Sequence, residues 1–197
     1  MASDKCSHDR VESGEFETGS AVCGSHAMRL CPLPMCHDGV MASEPDMNID
    51  LTTIYSVTIA TDKGEIVMDL DPRLAPRTVN NFVSLARDGF YDGLTFHRVV
   101  PNFVIQGGCP NGTGTGGPGY KFADEPVQGN YRDGAVAMAN SGPDTNGSQF
   151  FICLGDQMGL PKQYNLFGHT VSGLDVVSKI AVGDVMNSVT VAERPID

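Results

Sequence analysis

The stretch FHRVVPNFVIQGG, at residues 96–108, decides the fold. It holds two short apolar runs rich in valine, isoleucine and phenylalanine, and it ends in a glycine pair. Similar runs follow in AVAMAN (135–140), SQFFICL (148–154), NLFGHTV (165–171) and SVTVA (188–192). β-Branched and aromatic runs of this length, separated by turn residues, are typical of strands. Many short strands joined by glycine-containing turns predict a mainly β fold, a closed antiparallel barrel.

A β-hairpin and a helix are predicted before this stretch. Val57 and Ile59 precede the turn at residues 62–64, and Ile66, Met68 and Leu70 follow it, so that large apolar residues recur at every second position. This alternation on both sides of a turn predicts two antiparallel strands. PRTVNNFVSLARDG (76–89) begins with proline, carries apolar residues at three- and four-residue spacing and ends at glycine, which predicts an amphipathic helix. A second helix is predicted in LDVVSKIA (174–181).

Charge and hydropathy exclude several classes of function. The 24 acidic against 13 basic side chains give a formal net charge of -11, which disfavours attraction to the phosphates of nucleic acids. No apolar run approaches the roughly 20 residues of a membrane helix, and the first residues lack the charged-then-apolar order of a signal peptide. We therefore expect a soluble, cytoplasmic protein with no nucleic-acid or membrane partner. Separately, we expect a monomer.

The chain divides by composition into two parts. Residues 1–50 are acidic, are interrupted by prolines and contain four of the six cysteines. Such a polar segment alone cannot bury enough apolar surface to offset its ordering entropy. We assign residues 1–50 to a Cys/His-rich N-terminal extension and residues 51–197 to one main domain.

The extension carries a candidate structural zinc site. The candidate ligands are Cys23, His26, Cys31 and Cys36, which are separated by two, four and four residues. This is the spacing of a zinc knuckle in which the inner cysteine and histidine are exchanged. Thiolate and imidazole suit tetrahedral zinc, and metal binding could supply the folding energy that the segment lacks. The alternatives are an unstructured extension with incidental cysteines, or a translation start at Met41 or Met47.

Three motifs together resemble the cyclophilins: FHRVVPNFVIQGG, GTGTGGPGYKFADE (112–125) and MANSGPDTNGSQFFI (138–152). The resemblance runs from about Ser56 to Glu193. It implies an eight-stranded β-barrel closed at its ends by two α-helices, with an active groove on the outer face. It also implies cis/trans isomerisation of X-Pro bonds in proline-containing peptides and unfolded proteins, without a cofactor for catalysis.

Arg98 matches the catalytic arginine of this family. Conjugation opposes rotation about an amide bond by about 18–20 kcal/mol. In the twisted bond the proline nitrogen gains a usable lone pair, so a fixed donor stabilises the transition state more than the planar ground state. A guanidinium is always charged and offers several N–H groups in a rigid plane. By analogy with the loss of one oxyanion donor, removing Arg98 should cost on the order of 10² to 10³ in rate.

The resemblance also implies the residues that hold the substrate. An apolar proline pocket is implied at Phe103, Val104, Phe151 and Leu160, with Tyr164 able to line it. Gln106 positions the arginine and the substrate carbonyl. The residue before proline is gripped by Ala139, Asn140 and Ser141, and a neighbouring subsite is formed by Gly114 and Gln149. Alternation along a strand points His97 away from Arg98, so we predict a hydrogen-bonded core histidine there.

Two positions depart from many eukaryotic cyclophilins. Gly159 stands where those proteins have tryptophan, of which this chain has none, and Tyr164 stands where they have histidine. Binding of cyclosporin A is therefore expected to be weakened.

The sequence also contains a pattern typical of a different class of protein, and it leaves one alternative function open. Gly114, Gly116 and Gly119 satisfy the G-x-G-x-x-G pattern, but no helical run follows to bind a dinucleotide phosphate. The alternative function is a proline-motif binding module or folding chaperone in which isomerisation is incidental.

Overall fold

The computed structural model describes residues 43–196. The described chain forms eight strands and two helices, in the order β1 (Thr53–Thr61), β2 (Gly64–Leu70), α1 (Pro76–Arg87), β3 (Arg98–Val100), β4 (Val104–Gly107), β5 (Ala135–Met138), β6 (Phe150–Cys153), β7 (Leu166–Ser172), α2 (Leu174–Val177) and β8 (Ser188–Pro195). The predicted hairpin, the first helix and the strand runs are confirmed. No helix in this part of the chain is long and apolar enough to cross a membrane.

All paired strands are antiparallel and belong to one sheet of order β3-β4-β6-β5-β7-β2-β1-β8. The mainly β antiparallel fold with two helices is confirmed. The closed barrel is not confirmed, because β3 and β8 are the two ends of this order within residues 43–196. One isolated bridge, between Thr95 and Val185, joins the segments that lead into these two end strands.

The larger of two apolar clusters within residues 43–196 packs helix α1 against the sheet, and a smaller one lies around Phe151. Alternate residues of β1 and β2 are buried, and Val57 lies opposite Met68 in the antiparallel register. From α1, Phe82 stacks on Tyr91 at 4.6 Å between ring centroids and meets the edge of Phe150 at 5.3 Å. Burying a side chain of this size contributes about 1.5–3 kcal/mol, so this aromatic cluster attaches α1 firmly to the sheet.

A carboxylate from a distant loop caps the N-terminus of helix α1. Glu125 accepts hydrogen bonds from the backbone N–H groups of Arg77 (3.0 Å) and Thr78 (2.8 Å) and from the Thr78 hydroxyl (2.6 Å). The first N–H groups of a helix have no partner within it, and its dipole favours a negative charge there. The loop that carries Glu125 is thereby attached to the helix.

Residues 43–50, which the composition assigns to the extension, contact the same helix. Arg77 donates to Glu44 through Nε at 2.7 Å and Nη2 at 2.5 Å, and the Asn48 N–H donates to Asn80 Oδ1 at 2.9 Å. These contacts attach the chain to α1 before the first strand begins.

Helix α2 is shorter than the predicted run at 174–181. It ends at Val177, and the Ser178 hydroxyl donates to the Asp175 carbonyl at 2.7 Å. A serine that bonds to nearby backbone in this way competes with the helical ladder. Val176 and Val177 of α2 and Ile180 beyond it are all buried, so the apolar residues of the predicted run pack on the core although the helix ends at Val177.

Candidate active site

Three neighbouring strands bring the predicted polar and aromatic residues into line. Arg98, the first residue of β3, lies opposite Gln106 of β4, and Gln106 lies opposite Phe151 of β6. Side chains directly opposite each other in antiparallel strands share a face of the sheet. Residues far apart in sequence therefore form one continuous surface.

Arg98 is exposed but is contacted on two sides. Its Nη1 donates to Gln106 Oε1 at 3.1 Å, and its Cζ lies 5.9 Å from the ring centroid of Phe103. A cation over an aromatic face at this distance is attracted to the ring. The guanidinium is thus oriented by one hydrogen bond and one ring, while other N–H groups stay free to bind a ligand.

Beside the guanidinium lies a cavity of about 180 Å³, here called the arginine cavity. It is lined by Arg98, Phe103, Val104, Gln106, Ala139, Asn140, Phe151, Leu160 and Tyr164. All nine residues are among those that the sequence motifs imply. The structure therefore brings together the predicted catalytic arginine, the predicted proline pocket, and two of the three residues predicted to bind the residue before proline, Ala139 and Asn140.

Aromatic rings make one wall of the arginine cavity. Phe151, which is 5% exposed, meets Tyr164 edge-on, with ring centroids 5.6 Å apart and planes at 83°. Behind them lies Tyr131, whose hydroxyl donates to the Tyr164 carbonyl at 2.8 Å and accepts from the Tyr164 N–H at 3.1 Å. Burial raises the pKa of Tyr131, so its hydroxyl keeps the proton that it donates. Sequence reasoning missed Tyr131.

A second cavity of about 360 Å³, here called the glycine-loop cavity, adjoins the first and shares Gln106, Ala139 and Asn140 with it. Gly114, Ser141 and Gln149, the remaining predicted substrate-binding residues, line it. Lys121 is the one lysine or arginine in this lining, and the sequence motifs did not single it out. Asn140 is oriented through Nδ2, which donates to the Gln163 carbonyl at 2.8 Å.

Hydrogen bonds join the two cavities in a chain that we call the Arg98 relay. Gln106 accepts from Arg98 and donates through Nε2 to Gln149 Oε1 at 3.0 Å. Gln149 in turn donates through Nε2 to the carbonyls of Gly114 and Gly116, each at 2.8 Å. The orientation of the guanidinium is therefore connected to the backbone of the glycine loop, residues 110–119.

The prediction for His97 is wrong in its hydrogen bonding. The residue as a whole is half-buried and its two ring nitrogens are buried, but neither nitrogen has a hydrogen-bond partner within residues 43–196. Strand β3 begins at Arg98, so the alternation used for the prediction does not extend to His97. Burial is the main cause that lowers the pKa of His97, and the adjacent positive charge of Arg98 lowers it further. The nearby Gln149 and Thr95 act in the opposite direction but do not outweigh these two causes. The lowered pKa favours the neutral form of the ring.

The predicted zinc ligands Cys23, His26, Cys31 and Cys36 lie outside the described residues, so the zinc site stays a prediction. Between residues 43 and 196, no three His, Cys, Asp or Glu side chains are grouped closely enough to hold a metal ion.

Curated relatives place the chain in a class of enzymes, the peptidyl-prolyl cis-trans isomerases. The chain is 52% identical over 133 residues to peptidyl-prolyl cis-trans isomerase B of Bacillus subtilis, covering 66% of this chain and 92% of the relative. It is 48% identical over 141 residues to a peptidyl-prolyl cis-trans isomerase of Helicobacter pylori, covering 70% and 86%.

The particular family follows from the family model and from solved structures. Residues 56–197 match the model described as cyclophilin type peptidyl-prolyl cis-trans isomerase/CLD. A cyclophilin type isomerase of Cryptosporidium parvum, solved in the presence of the dipeptide Ala-Pro, is 30% identical with a TM-score of 0.65, covering 71% of this chain and 99% of that one. The chain belongs to the cyclophilin type family of peptidyl-prolyl cis-trans isomerases.

Proposed function

We propose that this protein interconverts the cis and trans forms of X-Pro bonds in peptides and unfolded proteins, with Arg98 stabilising the twisted amide. The observation that carries the proposal is an exposed guanidinium, held by Gln106, at the rim of an aromatic-walled cavity. When a proline ring is bound in that cavity, the X-Pro amide bond lies beside the free N–H groups of Arg98.

The arginine cavity binds the proline ring in this mechanism. The ring buries its apolar surface against Phe151 and Leu160, which fixes the C-terminal side of the amide. The preceding residue lies along the Ala139–Ser141 segment and is free to rotate. Since the ring is buried equally in both isomers and in the transition state, this contact binds substrate without selecting the twisted bond.

Selection of the twisted bond is the role of Arg98. As the amide twists, the proline nitrogen loses conjugation and becomes a hydrogen-bond acceptor. A donor already oriented toward that nitrogen needs no rearrangement when the lone pair appears. The hydrogen bond from Gln106 and the Phe103 ring supply this orientation.

The proposal is tested by exchange NMR on a short Ala-Pro peptide, with the rate and the binding affinity measured in the same samples. Arg98→Ala should lower the exchange rate by about 10² to 10³ and leave peptide binding nearly unchanged. Arg132→Ala is the matched control, an exposed arginine outside both cavities. An unchanged rate in Arg98→Ala refutes the role of Arg98. A wild-type protein that binds the peptide without accelerating exchange is instead a binding module or chaperone.

Weak binding of cyclosporin A is also proposed, from the missing indole at Gly159. A Cβ added at Gly159 meets no atom within 4 Å, so a larger side chain can be accommodated there. Gly159→Trp should therefore tighten cyclosporin binding in a direct titration without slowing exchange. Equal affinities in the two proteins would contradict this proposal.

The monomeric state, the cytoplasmic location and the zinc site stay predictions from the sequence. Metal analysis of the purified full chain tests the zinc site: we expect one zinc in the wild type and none after Cys23→Ser and Cys31→Ser. If the wild-type protein contains no zinc, the prediction of a zinc site is wrong.

A further inference from the structure

The sulfur of Cys109 lies beneath the glycine loop. Cys109 follows strand β4, is fully buried and is a free thiol. Its Sγ accepts hydrogen bonds from the backbone N–H groups of Gly114 at 3.2 Å and Gly116 at 3.3 Å. Cys109 lines neither the arginine cavity nor the glycine-loop cavity.

The two glycines that bond to the sulfur also hold the Arg98 relay. Their carbonyls are the ones that accept from Gln149 Nε2, at 2.8 Å each. The N–H groups of Gly114 and Gly116 are therefore bound to the Cys109 sulfur, while the carbonyl groups of the same two glycines bind the side chain of Gln149. A shift of the loop changes the position of Gln149 and, through Gln106, that of the guanidinium.

Two further bonds lie within the loop, from the Gly112 N–H to the Cys109 carbonyl at 3.0 Å and between the Thr113 and Thr115 hydroxyls at 2.8 Å, but neither involves the backbone of Gly114 or Gly116. Gly112, Gly114 and Gly119 have positive φ angles of 62°, 83° and 94°, and most of the loop is exposed. Glycine has more conformational freedom to lose than any other residue, so an ordered glycine loop depends on its backbone hydrogen bonds. Apart from the bonds to Gln149, those to the Cys109 sulfur are the side-chain bonds that orient Gly114 and Gly116.

We propose that Cys109 is a positioning residue for the isomerase reaction, and that its sulfur acts by holding the glycine loop in the conformation that orients Gln149, Gln106 and Arg98. This inference rests on the proposed role of Arg98. It requires the side chain at position 109 to be a hydrogen-bond acceptor, and an apolar residue of similar size cannot replace it.

The electrostatic surroundings of the thiol agree with an acceptor role. Burial acts to raise the pKa of Cys109, but the backbone N–H groups around it outweigh burial and lower the pKa. The donors are those of Gly116, Thr113, Gly114 and Asn111. Several N–H dipoles that converge on one atom favour negative charge there, so a carboxylate is the natural substitute for the sulfur.

Two variants separate an acceptor role from simple packing. Cys109→Val keeps an apolar side chain of similar size and removes the acceptor, whereas Cys109→Asp keeps an acceptor and loses apolar character. If position 109 serves packing, valine should be the better replacement. If it positions the relay, kcat/KM should fall about tenfold in Cys109→Val and return to within about threefold of wild type in Cys109→Asp. A displacement of 1 Å near reacting groups can cost about 10²-fold, and a partial shift costs less.

The decisive measurement is a double-mutant cycle with Arg98→Ala, using exchange NMR for the rate and the amide signals of Gly114 and Gly116 for the loop. Because the effect passes through Arg98, Cys109→Val should cost about tenfold in the wild-type background and less than twofold in Arg98→Ala. Cys153→Ala, at the second buried free cysteine within residues 43–196, is the control for loss of a thiol, and its rate should stay within about threefold of wild type.

Three results would overturn the inference. These are a Cys109→Val protein with the wild-type rate, a valine variant more active than the aspartate variant, and equal tenfold losses in both backgrounds. If Arg98→Ala itself keeps the full rate, the proposed mechanism fails and not only the role of Cys109. If Arg98→Ala loses the rate and Cys109→Val keeps it, only the role of Cys109 fails.

Discussion

Leu160 offers a test of how binding and catalysis are divided within the site. It is a half-buried wall of the arginine cavity, and its backbone N–H donates to the Gln157 carbonyl at 3.0 Å. Leu160→Ala removes three carbon atoms from the surface that receives the proline ring. Each buried carbon contributes about 0.8 kcal/mol, so full burial would contribute about 2.4 kcal/mol.

The ring can cover only the part of Leu160 that is still exposed in the free protein. About 1 kcal/mol is therefore expected to be lost from binding, which corresponds to a roughly fivefold rise in KM. The lost contact is the same in the ground state and the transition state, so kcat should stay nearly constant. Arg98→Ala is expected to behave in the opposite way, with a large loss in kcat.

Exchange NMR over a range of Ala-Pro peptide concentrations separates the two parameters. Leu51→Ala is the matched control, because Leu51 is 52% exposed and lines neither cavity. Its KM should equal that of the wild type. We propose that the arginine cavity binds the proline ring equally in the ground state and in the transition state. A Leu160→Ala protein with a lower kcat and an unchanged KM would refute this proposal.

Two further predictions concern stability. Because burial lowers the pKa of His97 in the folded protein below its usual 6.5, the unfolded state takes up the proton first as the pH falls. The free energy of unfolding measured in urea should therefore decrease below about pH 6.5, and His97→Gln should flatten this part of the profile; an unchanged slope in the variant contradicts it. Glu125→Ala should lower the free energy of unfolding by about 2 kcal/mol, since three hydrogen-bond donors at the start of α1 lose their acceptor. The exposed Glu65→Ala is the control, and a loss below about 0.5 kcal/mol for Glu125→Ala would show that water replaces the carboxylate.

Local periodicity was enough to predict much of the fold. The alternation in β1 and β2 and the apolar stripe of α1 are determined by which residues face the core, and the structure has them where the sequence predicts. The length of α2 was overestimated, because a serine hydroxyl near its end bonds to the backbone. Closure of the sheet depends on pairing between residues far apart in sequence, and periodicity does not reveal that pairing.

The site was predictable from its motifs, but the contacts that support it were not. Arg98, Gln106 and Phe151 were identified as motif residues, while their alignment depends on the register of three strands. Tyr131 lies 33 residues from the Tyr164 backbone that it holds, and no role was predicted for Cys109. The Tyr131 bond joins residues far apart in sequence, and no local pattern marks it. The Cys109 sulfur bonds to backbone only five and seven residues away, but this contact depends on how an irregular glycine loop folds, which periodicity does not reveal.

The most direct test of the account is a crystal structure of this protein with a short Ala-Pro peptide bound. We expect the proline ring in the arginine cavity, against Phe151 and Leu160, with an N–H group of Arg98 directed at the prolyl amide. A ring bound elsewhere, out of reach of that guanidinium, would contradict the account.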